Sequence, residues 1–215
     1  MIELLVKIIA AYLLGSIMGG LVLRFMVGGA DIRQEGSGNA GATNALRSRG
    51  KGFAAAVAGV DVLKGVVAAG LIPLLVVPGL APAEVGREWV MALCGIAAVF
   101  GHIWPVWHGF RGGKGAATLV GVMAVIAPLV LVPVLLVWVV VLVLTGYVGL
   151  ATVLAAAAAP VYLLLSGAPL TGMLVTFATV MCLTVVYTHR SNLYRLIKGE
   201  EHRFEKAMLF RGRNG

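Results

Sequence analysis

Residues 115–189 read GAATLVGVMAVIAPLVLVPVLLVWVVVLVLTGYVGLATVLAAAAAPVYLLLSGAPLTGMLVTFATVMCLTVVYTH, 75 consecutive positions without one Asp, Glu, Lys or Arg. No water-soluble fold of this size keeps its surface wet across such a stretch, whereas a helix crossing a bilayer needs about 20 residues of this kind. The composition of the whole chain agrees. Its 215 residues are 60% hydrophobic and 12% charged, where an ordinary soluble domain carries about 25% charged residues. With a mean hydropathy of +0.98, a disordered tail and a soluble core are both excluded. The expected fold is all-α, a polytopic membrane helix bundle forming a single domain over 1–215.

Away from that run, charge organises the chain. A first apolar span is expected over 4–27, too long for the apolar part of a cleavable signal and without a basic leader. A polar loop, 28–51, follows with Arg33, Arg47, Arg49 and Lys51, and Arg24 stands at its entrance. A second span over 53–77, a short turn over 78–88 and a third span over 89–104 lead to a second glycine-rich loop, 105–115, with Arg111 and Lys114. The tail from His189 adds seven basic residues, so these regions hold 14 of the 17 Lys and Arg. The positive-inside rule places them on the cytoplasmic side. The uncharged run must then cross an even number of times. Two crossings leave the spans far too long, and four fit at 115–131, 133–149, 150–167 and 170–188, with Pro133, Gly146, Gly149, Pro160 and 167–169 as breaks or kinks. About seven transmembrane helices result, N-terminus outside and C-terminus cytoplasmic. A re-entrant segment in place of one hairpin is the alternative. The abundant small residues, 29 Gly among them, suit close helix packing in lipid.

The net charge of +8 is explained by anionic lipid, topology and small phosphorylated ligands, since no aromatic–basic interleaving of a nucleic-acid surface is present. Cys94 and Cys182 lie in apolar runs without metal-ligand spacing and are expected to be buried thiols. Asp61 and Lys64 are the only charges in the second span. Each is costly there alone, so an i,i+3 ion pair or contact with a polar ligand is expected.

Loop one carries Gly36-Ser37-Gly38-Asn39-Ala40-Gly41-Ala42-Thr43-Asn44. It fits a GxGxxG pattern, but a membrane helix precedes it and no βαβ unit can be built. Loop two, Gly109-Phe110-Arg111-Gly112-Gly113-Lys114-Gly115, resembles a Walker A loop and fails it, with Gly115 after the lysine and His108 where the first glycine belongs. Both nevertheless combine glycines, whose N–H groups can converge on an anion, with basic residues at a helix start. Two such loops on one face suggest a site for a phosphorylated ligand. On a third segment, His189 and Asn192 are three apart and share a helix face, and Arg195 continues the row.

The segments GSGNAGATNALRSRGKGFA, DVLKG, GHIWPVWHGFRGGKGAAT and HRSNLYRLIKGEEHR together resemble the bacterial acyl-phosphate:glycerol-3-phosphate acyltransferase family, the PlsY type. The resemblance covers all three polar segments in order and spacing. It implies transfer of a fatty acyl group from long-chain acyl phosphate to the sn-1 hydroxyl of glycerol 3-phosphate, giving lysophosphatidic acid for phospholipid synthesis in the bacterial inner membrane. It implies no cofactor and no metal. It also implies Ser37, His189 and Asn192 as catalytic, and Gly36, Gly38, Asn39, Thr43, Arg47, Gly112, Gly113 and Lys114 as substrate- and phosphate-binding. His102 and Glu201 are expected to support the loops.

The chemistry of those residues is compatible with this. An acyl phosphate has a good leaving group, so charge neutralisation, alignment and oxyanion donors matter more than a strong base. An HxxxxD acyltransferase cannot be written here, because Asp31 and Asp61 both precede every histidine. A transporter of phosphorylated solutes would need polar residues through the bundle, and the later spans hold only scattered Thr, Ser and Tyr.

Overall fold

The computed structural model describes residues 1–166 and 172–209, so residues 167–169, read above as a break, lie outside the described residues. The described residues form helices with no strand. In chain order these are α1 (Ile2–Gly15), α2 (Gly19–Val27), α3 (Ala42–Gly70), α4 (Arg87–Ile103), α5 (Ala116–Ile126), α6 (Pro128–Thr145), α7 (Val148–Leu165), α8 (Gly172–Thr188) and α9 (Arg190–Ile197). They divide into two compact units, Met1–Ile126 and Ala127–Gly215.

Glycine decides how closely the helices of the first unit approach. A Cβ built on Gly15 of α1 would overlap the Ala98 carbonyl of α4, and one on Gly101 of α4 would overlap the Tyr12 carbonyl of α1. Gly65 of α3 lies likewise against the Thr118 carbonyl of α5, and Gly121 of α5 against that of Val62. Without a hydrophobic drive between helices in lipid, such backbone contact supplies the packing. Large apolar side chains point outward instead, among them Leu129, Val132, Leu136 and Leu144 on α6, the lipid-facing pattern of a membrane bundle.

Among the described residues, four helical stretches, Ala42–Leu74, Arg87–His108, Pro128–Thr145 and Val148–Leu165, are long and apolar enough to cross a membrane. Two bent pairs, α1 with α2 at 49° and α8 with α9 at 53°, qualify when each pair counts as one span. That makes up to six spans where the sequence suggests seven. The difference is α5, whose 11 residues rise about 16 Å, roughly half of the hydrocarbon core. Its end is set by Pro128, the first residue of α6, which drives Ala127 out of helical geometry (φ −147°, ψ 62°). The expected break at Pro133 therefore falls five residues late, and Pro133 stays inside α6. Loop one also ends earlier than expected. Helix α3 begins at Ala42 and is interrupted at Gly50, where φ is +84°, so Thr43 and Arg47 stand on a short helical segment. Cys94 is buried as expected, while Cys182 is only half-buried.

Candidate active site

In the unit Met1–Ile126, loop one is built around Asn44. Its side chain is 2% exposed; Nδ2 donates to the carbonyls of Ile32 (2.8 Å) and Glu35 (2.9 Å), and Oδ1 accepts from Ser37 N–H at 2.8 Å. Gly36 must be glycine here, because its φ is +55° and a Cβ would overlap Asn44 Oδ1. Asn39 is engaged locally, accepting from Gly41 N–H at 2.9 Å in an Asx turn. Arg49 closes the loop from behind, pairing with Glu35 at 3.1 Å and donating to Ala30 O at 2.6 Å. What the loop presents outward is Ser37, Gly38, Thr43 and Arg47, all exposed. Thr43 and Arg47 are four apart on the short helix and so share a face.

Loop two turns back along the end of α4. Gly112 N–H donates to Ile103 O at 3.2 Å and Gly113 N–H to His102 O at 3.0 Å. These two amides are therefore committed to the α4 carbonyls and do not converge on an anion. The glycines serve close backbone approach instead, since a Cβ on Gly112 would overlap the His102 carbonyl. Gly109 and Phe110 are both left-handed, φ +63° and +60°, a conformation that costs a non-glycine residue about 1–2 kcal/mol. The turn delivers Lys114 just ahead of α5, whose first-turn amides and dipole favour an anion.

The two loops are joined. Asp31 holds Arg33 through Nη2–Oδ2 at 2.7 Å, and Arg33 Nη1 donates across to the carbonyls of His108 (3.4 Å) and Arg111 (3.2 Å). The Arg33 guanidinium holds the Asp31 carboxyl below its usual 3.8. Neither Asp31 nor Asn44 is evident as a site organiser in the sequence. The only sequence signal is one Asp and two Asn inside a glycine-rich polar loop, types that bond locally to backbone.

In the other unit, α8 ends at Thr188 and the chain bends through His189 into α9. His189 is buried, with Nδ1 2.9 Å from the Val185 carbonyl and 3.3 Å from Thr188 Oγ1. A carbonyl only accepts, so Nδ1 carries the hydrogen and Nε2 of the neutral ring keeps its lone pair. That is the tautomer of a proton acceptor. Asn192 Nδ2 donates to Glu201 Oε1 at 2.7 Å, and Arg195 Nε to Glu201 Oε2 at 2.8 Å. Asn192 also lies flat on α7, where a Cβ on Gly149 would come within 2.7 Å of its own Cβ. The buried Glu201 thus fixes the row that the i,i+3 spacing suggested. Among the described residues no group of three or more His, Cys, Asp or Glu is placed to hold a metal ion.

These features meet a body of known proteins. The family model described as glycerol-3-phosphate acyltransferase matches residues 5–199. The chain belongs to the glycerol-3-phosphate acyltransferase family. Relatives of that name share 40% identity over 198 residues in Aquifex aeolicus (92% of this chain, 97% of that protein) and 42% over 202 residues in Geotalea daltonii (94% and 98%). The family includes PlsY, an integral membrane glycerol 3-phosphate acyltransferase with crystal structures of a glycerol 3-phosphate form and a lysophosphatidic acid form. This chain matches them with TM-scores of 0.80 and 0.78 at 38% identity, covering 94% and 93% of this chain and 95% and 94% of theirs. The family thus has a membrane helix bundle as its fold, in agreement with the apolar helices here.

Proposed function

We propose that this protein, acting as one membrane domain over 1–215, transfers a fatty acyl group from acyl phosphate to the sn-1 hydroxyl of glycerol 3-phosphate. The products are lysophosphatidic acid and inorganic phosphate, and the reaction runs at the cytoplasmic face of the bacterial inner membrane. The observation that carries this reading is the Arg33 bridge, which holds two glycine loops, one presenting Arg47 and the other Lys114, against each other. Both loops follow hydrophobic helices, so a water-soluble phosphate and a lipid-borne acyl chain can both reach them.

The chemistry follows from the groups. Lys114 and Arg47 neutralise the two phosphates, and Ser37 and Thr43 hydrogen-bond substrate oxygens. The sn-1 oxygen attacks the acyl carbonyl carbon, a new C–O ester bond forms, and the bond from that carbon to the phosphate oxygen breaks. The electron pair leaves with phosphate. The hydroxyl proton passes to Nε2 of His189, whose Nδ1–H bond to Val185 presets that nitrogen as the acceptor; the departing phosphate is the alternative proton acceptor. Asn192, fixed by Glu201, orients the hydroxyl.

The test is direct. Purified protein receives labelled glycerol 3-phosphate with either palmitoyl phosphate or palmitoyl-CoA. Lysophosphatidate is expected from the acyl phosphate. Product from the thioester alone, or from neither donor, overturns the reading.

A further inference from the structure

Asp61 and Lys64 of α3 and His102 of α4 are buried side by side. Lys64 Nζ lies 2.7 Å from Ile17 O, 2.9 Å from Asp61 Oδ1 and 2.9 Å from His102 Nδ1. An ammonium has three hydrogens and no acceptor. These three contacts use all of its donors, so His102 Nδ1 must accept and the hydrogen of the ring is on Nε2. His102 Nδ1 is also 3.4 Å from Asp61 Oδ1. A hydrogen on Nδ1, however, would be set against the nearer ammonium. The cluster is then one carboxylate, one ammonium and one neutral ring, a set with no net charge to bury.

The nitrogen left carrying the hydrogen faces Gly113. A Cβ built on Gly113 would overlap His102 Nε2. The carbonyl of the same histidine accepts from Gly113 N–H at 3.0 Å. Ring and main chain of His102 therefore define the path of the turn that delivers Lys114. The ring occupies the volume that any side chain at 113 would need.

We propose that His102 is a positioning residue for the turn Gly112–Gly113 that presents Lys114 to a substrate phosphate, its ring locked by Asp61 and Lys64 with Nε2–H toward Gly113. The proposal rests on the acyltransfer reading, in which Lys114 holds a substrate phosphate. The charged pair of α3 thereby sets the orientation and tautomer of a ring on the neighbouring helix.

The test has two arms. In 15N-histidine-labelled wild-type protein, His102 is expected as the Nε2–H tautomer, and Lys64→Met is expected to abolish that fixed signal. An Nδ1–H tautomer in the wild type, or an unchanged signal in Lys64→Met, overturns the proposal whatever the enzyme's activity. The second arm is kinetic. His102→Phe keeps ring volume but cannot accept from Lys64, and is expected to raise KM for one phosphorylated substrate about tenfold while kcat changes less than threefold. A fall in kcat with both KM values unchanged overturns it. Gly113→Ala is expected to raise the same KM, and to do so less than twofold in a His102→Ala background, where the methyl has room. Equal penalties in both backgrounds remove the contact. Failure of the acyltransfer reading shows instead as wild-type protein that makes no lysophosphatidate from acyl phosphate, and titration of inorganic phosphate into wild type and His102→Phe then decides this proposal alone. Weaker phosphate binding in the variant supports it, and equal binding overturns it.

Discussion

Within Met1–Ile126, charged side chains go inside in pairs. Glu3 pairs with Lys7 at 3.0 Å, Asp61 with Lys64 at 2.9 Å, and Asp31 with Arg33 at 2.7 Å. Several of these groups reach across to a distant backbone: Lys7 to Pro73 O, Lys64 to Ile17 O, Arg33 to His108 O and Arg111 O. Ala127–Gly215 is arranged otherwise. Its helices α6, α7 and α8 contain no charged residue at all, and its buried carboxylate, Glu201, is held by Asn192 and Arg195 nearby, while Arg203 donates to Thr145 O at 3.1 Å. One unit distributes polarity to hold loops in place. The other gathers it at the end of an apolar bundle. Under the proposed reaction, the difference teaches that loop positioning and proton transfer are separate tasks that can be disturbed separately.

That division can be broken by substitution. The largest effect is expected at His189: His189→Ala should lower kcat about 100-fold or more, within the usual range for losing a general base, with KM for glycerol 3-phosphate within about threefold of wild type. A large KM effect instead would move His189 from proton transfer to binding. Lys114→Met should come next, raising KM for one phosphorylated substrate more than about tenfold, as expected for a charge-assisted contact worth about 1.5–3 kcal/mol. Unchanged KM values for both substrates would remove its role.

A smaller loss is expected from Arg33→Gln, which keeps a polar group but cannot pair with Asp31. KM should rise several-fold, and amide exchange should speed up in residues 28–50 and 105–115 together. Exchange rising in only one of the two loops would break the bridge. The same contact has a pH signature. Because Asp31 is held below its usual carboxylate value by Arg33, the stabilisation is fully present above about pH 4 and lost as pH falls through the lowered value. Loop-one exchange should therefore be flat from pH 7 to 5, after correction for intrinsic rates, and rise at lower pH by more in wild type than in Asp31→Asn, where the Glu35–Arg49 pair alone still titrates. The smallest effect is expected at the tail. Lys198 lies 4.6 Å from the Tyr194 ring and Arg190 4.2 Å from that of Tyr187, exposed contacts worth about 0.5–1 kcal/mol. Tyr194→Leu should lower the melting temperature only slightly and leave both KM values alone.

The membrane class was legible from charge alone, because 75 positions without one Asp, Glu, Lys or Arg have no soluble solution. So were the breaks near Gly146 and the pairing of Asp61 with Lys64, which need only local spacing. The end of α5 was misplaced because two prolines, Pro128 and Pro133, compete. Proline at a helix start sets a boundary, whereas proline further in is tolerated in a membrane helix. The loop-to-loop bridge was not legible at all. Arg33 binds carbonyl oxygens, and a carbonyl acceptor leaves no mark of residue type. His102 was expected to support the loops, but its link to Lys64 crosses from α3 to α4, and helix pairing was not deducible from the sequence. The glycines of loop two were noticed for the wrong property: their value is the missing Cβ beside His102, not an amide aimed at an anion.

The Arg33 bridge also bears on how the chain comes into being. Its second acceptor, the Arg111 carbonyl, is 78 residues downstream. At about 5–20 residues per second, a ribosome that has just added Arg33 needs a further 4–16 s, roughly, before that partner exists. For most of this interval loop one has Asn44 to shape it but nothing to hold it against its neighbour. Only once α4 has emerged and turned can the nascent chain close the contact, so the two loops mature in a fixed order, loop one first and loop two after it.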